Sequence, residues 1–123
     1  MVPINRRRKI ESLLLDLGFA EKDIDLLTIA ILYHLEGMGM LKIYQKISIE
    51  RGGKSGRIEK LIHEAILRAW LQQTPMMRDM FFGYLIRQCP KNRITIKIIS
   101  REIEKTEQRK TPKSAATDSG AGR

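Results

Sequence analysis

The stretch SGRIEKLIHEAILRAWLQ, residues 55–72, has the strongest helical pattern in this sequence and decides the fold. Its apolar residues recur at spacings of three and four through its whole length, which is the pattern of one buried helix face. They are Ile58, Leu61, Ile62, Ala65, Ile66, Ala69 and Trp70. Ser55 is a residue type that caps helix N-termini. The pattern therefore predicts one long amphipathic helix from Ser55 to about Gln72, with its polar face turned outward.

N-terminal to this stretch, glycines separate three further helical segments. Apolar residues at helical spacing mark residues 5–17, which Gly18 ends, and residues 21–36. The segment over residues 21–36 is apolar almost all round, so we expect it at the centre of the core. A short helix over residues 41–49 precedes a tight turn at Gly52-Gly53.

On the C-terminal side, Thr74-Pro75 is a start signal for a helix, and Cys89-Pro90 ends that segment. Residues 92–107 are ambiguous, because their first isoleucines alternate as in a strand whereas the later ones fit helical spacing. Asn92, as a cap, favours a helix. The sequence thus predicts an all-α fold. We expect a compact bundle of about six helices that contains a helix-turn-helix, of the winged-helix-like superfamily without a clear wing.

The length of 123 residues suits one domain with short tails. We expect a basic N-terminal tail over residues 1–8, the helical domain over residues 9–107 and a disordered C-terminal tail over residues 108–123. From Thr106 onward the sequence contains no large apolar residue. The single cysteine, Cys89, excludes an internal disulfide framework and a multi-cysteine zinc site. No apolar run approaches a membrane span, so we expect a cytoplasmic protein without a membrane partner.

The charge is strongly basic and unevenly distributed. Lysine and arginine number 23 against 14 acidic residues, a formal net charge of +9. Residues 10–37 contain one lysine and six acids, whereas residues 38–101 contain 13 basic and four acidic residues. A basic middle segment favours a polyanionic partner such as nucleic acid, although it is also compatible with an ordinary solvated surface.

Catalysis has little support in the residues. His34, His63 and Cys89 lack a second ligand or nucleophile at a suggestive spacing. The segment GGKSGR, residues 52–57, superficially resembles a phosphate loop, but it lacks the full motif and a preceding strand. A helix N-terminus that begins with Ser55 and glycine can still hold one phosphate of a nucleic acid backbone. We expect no enzyme activity, no metal and no cofactor.

The two helices around the Gly52-Gly53 turn form a helix-turn-helix candidate. In such a motif the early outward residues of the second helix meet base edges in the major groove. Here the candidate base-contacting residues are Arg57, Glu59, Lys60 and His63, whose side chains are types that read bases. The candidate backbone-contacting residues are Lys42, Lys46, Arg51, Lys54 and Ser55. The alternative is an ordinary amphipathic helix with a solvated polar face.

Four stretches carry a resemblance to a known family. IYQKI (43–47), GRIEKLIHEAILRAW (56–70), FFGY (81–84) and CPKNRITIKIISREI (89–103) resemble the C-terminal effector domain of the stage zero sporulation response regulator. The resemblance runs from about Lys9 to Glu107. It implies an all-α bundle of six helices with a helix-turn-helix, and a bacterial transcription factor that binds double-stranded DNA.

The resemblance also implies site residues. The family's recognition helix corresponds to residues 55–70, its base-contacting positions fall on Glu59, Lys60 and His63, and Arg57 lies alongside as a DNA contact. Lys60 and His63 stand where the family has arginine. Lysine lacks the forked geometry of a guanidinium, and an unperturbed histidine is mostly neutral at pH 7.

Family members carry an N-terminal receiver domain that accepts a phosphoryl group, and the resemblance does not extend to one here. It therefore implies DNA binding that is constitutive or controlled through another protein. It also implies homodimers on tandem sites, with the last helix taking part.

Our leading interpretation is a sequence-specific DNA-binding transcriptional regulator in the cytoplasm, associated with the nucleoid. One alternative is a protein-interaction module that binds RNA polymerase, a sigma factor or a related regulator. The other is a basic protein that binds nucleic acid without sequence preference. Arg6 to Lys9 suit contact with the DNA backbone or a minor groove, and equally a solvated charged tail.

Overall fold

Six α-helices make up the fold in a computed structural model that describes residues 4–110. They are α1 (Ile4–Leu17), α2 (Glu21–Leu35), α3 (Met40–Arg51), α4 (Ser55–Gln72), α5 (Pro75–Gly83) and α6 (Asn92–Lys110). The predicted all-α class and the number of helices are confirmed, and the described residues contain no strand. The ambiguous segment over residues 92–107 is helical.

The core lies around α2, which packs against α1, α3, α4 and α6. Leu27, Ala30 and Ile31 on α2 are fully buried, as its apolar composition predicts. α4 contributes six buried residues along one face: Ile58, Ile62, Ala65, Ile66, Ala69 and Trp70. At the end of α4, Trp70 meets Phe81 of α5 edge to face, with ring centroids 5.9 Å apart. The hydrophobic face predicted from spacing is therefore the face that the bundle buries.

The junction between α1 and α5 depends on Thr74 and Gly18. The Thr74 hydroxyl caps α5 by accepting a hydrogen bond from the backbone N–H of Met77 at 3.1 Å, as predicted. The same hydroxyl donates to the carbonyl of Leu17 at 3.0 Å. Gly18 follows with a φ of +103°, a left-handed conformation that ends α1. This contact ties the end of α1 to the start of α5.

Two predicted caps are wrong. The N-cap position of α4 is Lys54, and Ser55 is already the first helical residue, so its hydroxyl makes no capping hydrogen bond. The carbonyl of Lys91 accepts the first bond of α6 from Thr95. Asn92 is therefore also inside the helix, and its side chain points to neighbouring helices. In both places the helix begins one residue earlier than a capping role allows.

The predicted end of α5 is also wrong. The helix ends at Gly83 rather than near Cys89-Pro90. Leu85 has a φ of +65°, and the N–H of Ile86 returns to the carbonyl of Phe81 at 3.0 Å. This turn closes the helix before the proline is reached.

The two predicted tails are shorter than expected. Residues 4–8 belong to α1, and α6 continues past Thr106 to Lys110. A contact connects these parts of α1 and α6, because the Arg6 guanidinium donates to the Glu107 carboxylate at 2.6 and 2.8 Å. The rest of the predicted tails, residues 1–3 and 111–123, lies outside the described residues.

Substitution of Gly18 tests the α1–α5 junction. A Cβ at Gly18 lies 2.9 Å from Cγ2 of Thr74, in a backbone conformation that L-residues rarely adopt. We expect Gly18→Ala to lower the free energy of unfolding by about 1–3 kcal/mol. Gly56, which is helical and has open space around it, is the matched control. Gly56→Ala should raise stability by up to about 1 kcal/mol. Urea unfolding followed by circular dichroism measures the stability of both variants. Equal stabilities would contradict the conclusion that the α1–α5 junction requires glycine at position 18.

The pair between Arg6 and Glu107 makes stability depend on pH. Hydrogen bonds from Arg6 hold the pKa of Glu107 below its ordinary value of 4.5. A carboxyl with a lowered folded pKa stabilises the protein above its unfolded pKa, and this contribution is lost as the pH falls through the folded pKa. We expect Glu107→Gln to cost about 0.5–1.5 kcal/mol at pH 7 and less than that at pH 3. Urea unfolding at the two pH values checks this, and a cost that is independent of pH would contradict it.

Candidate nucleic-acid interface

The outer face of α4 carries the predicted base-contacting residues. Because the opposite face of the helix is buried, Arg57, Glu59, Lys60 and His63 are all exposed. α4 follows α3 after a short turn in which Gly52 and Gly53 have φ values of +84° and +97°. Both values lie in the left-handed region, where glycine carries no steric cost. Glycines at these positions therefore permit the tight connection between the two helices.

A groove lies between the outer face of α4, the start of α3 and the start of α6. Its volume is about 540 Å³. Its lining residues are Met40, Tyr44, Gly56, Glu59, Lys60, His63, Lys91, Asn92 and Arg93. Three of the four predicted base-contacting residues thus meet in one concavity, which we call the α4–α6 groove. Arg57 does not line it, and its Cδ instead lies near Gly53.

Lys91, just before α6, and Arg93, in its first turn, also line this groove, and sequence reasoning missed them as site residues. Both are exposed. The basic run around Cys89-Pro90 was visible in the sequence. Its position beside α4 was not, because the packing of α6 against α4 does not follow from local spacing.

Asn92 fixes the start of α6 against α3 and α4. Its side-chain amide nitrogen donates to the Tyr44 hydroxyl and to the backbone carbonyl of Glu59, each at 3.0 Å. Asn92 is 7% exposed, and burial raises the pKa of Tyr44. A buried amide that satisfies two partners on different helices allows little freedom in their spacing. Lys91 and Arg93 are therefore held at a defined distance from the outer face of α4.

Two of the predicted backbone-contacting residues are engaged in ion pairs near α2. Arg51 donates to the carboxylate of Asp25. Lys46 lies 3.7 Å from the carboxylate of Glu50 and 5.3 Å from the centroid of the Tyr33 ring. These contacts hold the two side chains toward α2, so they are less available to an external anion than unpaired cations are.

The remaining cations around α4 have no acidic partner among the described residues. Lys42 and Lys54 are exposed, and Ser55 is half-buried at the first position of α4. The cations around α4 and the start of α6 that form no ion pair within the described chain are Lys42, Lys54, Arg57, Lys60, Lys91 and Arg93. Positive charge that the fold does not neutralise therefore surrounds the α4–α6 groove, together with the positive end of the α6 dipole.

Neither a reactive cysteine nor a metal-binding cluster is found in the described part of the chain. Cys89 is half-buried, and burial raises the pKa of its thiol, which disfavours the reactive thiolate. Among residues 4–110, no three His, Cys, Asp or Glu side chains cluster in a way that could hold a metal ion. No described helix is long and apolar enough to cross a membrane.

Comparisons of this chain with protein-family models, with characterised proteins and with solved structures found no match. The resemblance to the sporulation effector domain therefore stays a prediction.

Removal of the Asn92 amide tests the geometry of the groove. We expect Asn92→Ala to lower the free energy of unfolding by about 1–3 kcal/mol, because the buried Tyr44 hydroxyl loses its partner. Lys91→Ala is the control, since its exposed side chain makes no such contact and should change stability by less than about 0.5 kcal/mol. Thermal unfolding measures both variants. Equal melting temperatures would show that Asn92 does not hold α6 in place.

Proposed function

We propose that this protein binds double-stranded DNA with sequence preference and regulates transcription, with α4 as the recognition helix. The observation that carries the proposal is the α4–α6 groove. There Glu59, Lys60 and His63 lie beside Lys91 and Arg93, which have no acidic partner in the described chain. An exposed helix face with unneutralised charge beside it suits a duplex more than an isolated phosphate.

In this proposal the outer face of α4 enters the major groove. Lys60 donates to guanine O6 or N7, Glu59 accepts from the amino group of cytosine, and His63 contacts a third base edge. Arg57 lies at the start of the same helix, near the Gly52-Gly53 turn, and reaches either a base or the adjoining phosphate.

Phosphate contacts come from the unpaired cations on both sides of α4. Lys42, Lys54 and the backbone N–H groups at Ser55 hold one strand, and Lys91 and Arg93 hold the other. Lys46 and Arg51 contribute less, because an external phosphate has to compete with Glu50 and Asp25. The proposal thus changes the predicted set of backbone contacts by adding two residues at the start of α6.

The resemblance to the sporulation effector domain supports the same function. It adds a proposed homodimer on tandem sites, and a bacterial cytoplasm with the nucleoid as location. Lysine and histidine in place of two arginines support a target sequence that differs from the usual one of the family.

A second candidate function is a protein-interaction module for RNA polymerase, a sigma factor or a related regulator. A different surface favours it: a groove of about 910 Å³ between α1, α5 and α6. Met76, Met80 and Tyr84 form its apolar part, and Asp16, Asp79 and Glu102 are among its acids. Methionine-rich surfaces adapt to protein partners. This surface is separate from the α4–α6 groove, so the two functions are compatible.

Selection from a random pool of duplex DNA tests the first proposal. We expect one short motif, bound with an affinity that falls about a hundredfold between 50 and 200 mM salt if four phosphates are neutralised. Lys60→Ala and His63→Ala should each cost about 1–3 kcal/mol at the selected site and relax the preference at one base pair. Fluorescence anisotropy on the selected and a scrambled duplex measures these effects.

Arg78→Ala is the matched control for this experiment. Arg78 is an exposed arginine on α5 with no ion pair among the described residues, so its removal changes the net charge as Lys60→Ala does. Tight binding that ignores sequence would favour the nonspecific nucleic-acid-binding protein. No binding at 50 mM salt would overturn DNA binding altogether and leave the interaction module.

A further inference from the structure

Another polar concavity lies farther along α6, where its middle turns meet the end of α2. Its volume is about 490 Å³, and its lining residues are His34, Leu35, Gly37, Lys97, Ser100, Arg101 and Glu104. We call it the α2–α6 pocket. None of its lining residues belongs to the α4–α6 groove.

Ser100 presents a hydroxyl with no partner in the described chain. The residue is 2% exposed, and its Oγ neither donates nor accepts a hydrogen bond there. The hydroxyls of Ser48, Thr95 and Thr106 behave differently, because they donate to backbone carbonyls of the preceding turn at 2.7–3.0 Å. The buried hydroxyl of Thr28 in α2 also lacks a partner in the described chain, but Thr28 does not line this pocket. A buried hydroxyl without a partner is costly. Ser100 therefore retains a donor that a ligand in the pocket can use after a rotation about one bond.

His34 contributes a second unpartnered atom. Its Nδ1 is buried and makes no hydrogen bond to any described residue. His34 lies in the last turn of α2 and lines the same pocket as Ser100. Two buried polar atoms from different helices thus lack partners within one concavity, whereas polar groups in folded proteins are generally satisfied.

The charges of the pocket favour an anion. Lys97 and Arg101 are four residues apart on α6, where like charges repel one another. Both are exposed, and neither forms an ion pair with a described residue. Glu104 is the one acid that lines the pocket, and its charge also acts on Arg6, whose pKa it helps to raise. An anion between Lys97 and Arg101 converts a repulsion into two attractions.

We propose that the α2–α6 pocket binds the phosphate group of a small phosphomonoester. A phosphate dianion matches the two positive charges of Lys97 and Arg101, and a guanidinium binds phosphate through two parallel hydrogen bonds. The hydroxyl of Ser100 and an Nδ1–H of His34 supply two further donors. The volume is within the range of small-molecule sites, so it accommodates an organic group beyond the phosphate. This proposal is independent of the DNA-binding proposal, because the two use different residues.

Titration of the full-length protein with inorganic phosphate and with phenyl phosphate, followed by NMR at constant ionic strength, tests the site. We expect saturable shifts of the Ser100 and Arg101 amides and of the His34 ring. Arg101→Ala should weaken binding about tenfold, since a hydrogen bond to a charged group is lost. Lys22→Ala is the matched control. It removes an exposed lysine of α2 that lies outside the pocket, and it should bind phosphate as the wild type does.

Ser100→Ala separates a ligand contact from a structural role. Because its hydroxyl has no partner in the described chain, its removal should leave stability in phosphate-free buffer unchanged or higher. The same variant should bind phenyl phosphate several-fold more weakly. A loss of stability without a loss of affinity would overturn the proposed role of Ser100.

Three other results would overturn the site itself. One is a set of chemical-shift changes that increase linearly with phosphate concentration, without saturation, and are scattered over all exposed basic residues. Another is equal displacement of the same signals by acetate or chloride. The third is a shift of Ser100 and His34 by duplex DNA but not by inorganic phosphate, which would assign the pocket to the DNA surface. Failure of the protein to bind DNA leaves this proposal unaffected, and failure to bind phosphate leaves the DNA proposal unaffected.

Discussion

The burial of one face of α4 is the constraint on which the rest of the structure depends. Ile58, Ile62 and Ile66 are each no more than 2% exposed, and α4 packs against α2, α3 and α6. Each such side chain contributes about 1.5–3 kcal/mol on burial, which is large beside the marginal stability of a small domain. A rotation of α4 by one residue would bring these isoleucines into water. The outward direction of Lys60 and His63 is therefore set by the hydrophobic effect on the opposite face, with no polar contact needed to hold them there.

Polar contacts between distant parts of the chain then fix how the helices lie against each other. Arg68 of α4 donates to both carboxylate oxygens of Asp23 in the first turn of α2, at 2.9–3.2 Å. Asp23 is a largely buried acid at a helix N-terminus, where the dipole also favours its charge. Asn92 fixes α6 against α3 and α4 in a similar way, through the hydrogen bonds of its uncharged side-chain amide. Hydrophobic packing tolerates small displacements, whereas hydrogen bonds with fixed geometry do not, so these contacts select one arrangement of the bundle.

The same distinction explains what the sequence could and could not predict. The bounds of α4 and the central place of α2 follow from spacing within single helices, and both predictions are confirmed. The helical state of residues 92–107 is settled by packing, because Ile96, Ile99 and Ile103 are all buried. The predicted cap at Asn92 failed because its amide bonds to residues 33 and 48 positions away. The presence of Lys91 in the groove was missed for the same reason. Partners across such separations leave no trace in local periodicity.

The uneven charge of the sequence acquires a physical meaning in the fold. The acids of the first third neutralise selected cations from other helices: Asp25 pairs with Arg7 and Arg51, and Asp23 pairs with Arg68. Among the cations without an ion pair in the described chain, one group lies at the start and outer face of α4 and another at the start and along the middle of α6. Like charges held close by a rigid helix cannot relax apart, and salt screens them only in part. An anion bound at either surface would offset this repulsion. Because these acids of the first third are paired within the fold, we expect anions to bind at α4 and α6 rather than near α2.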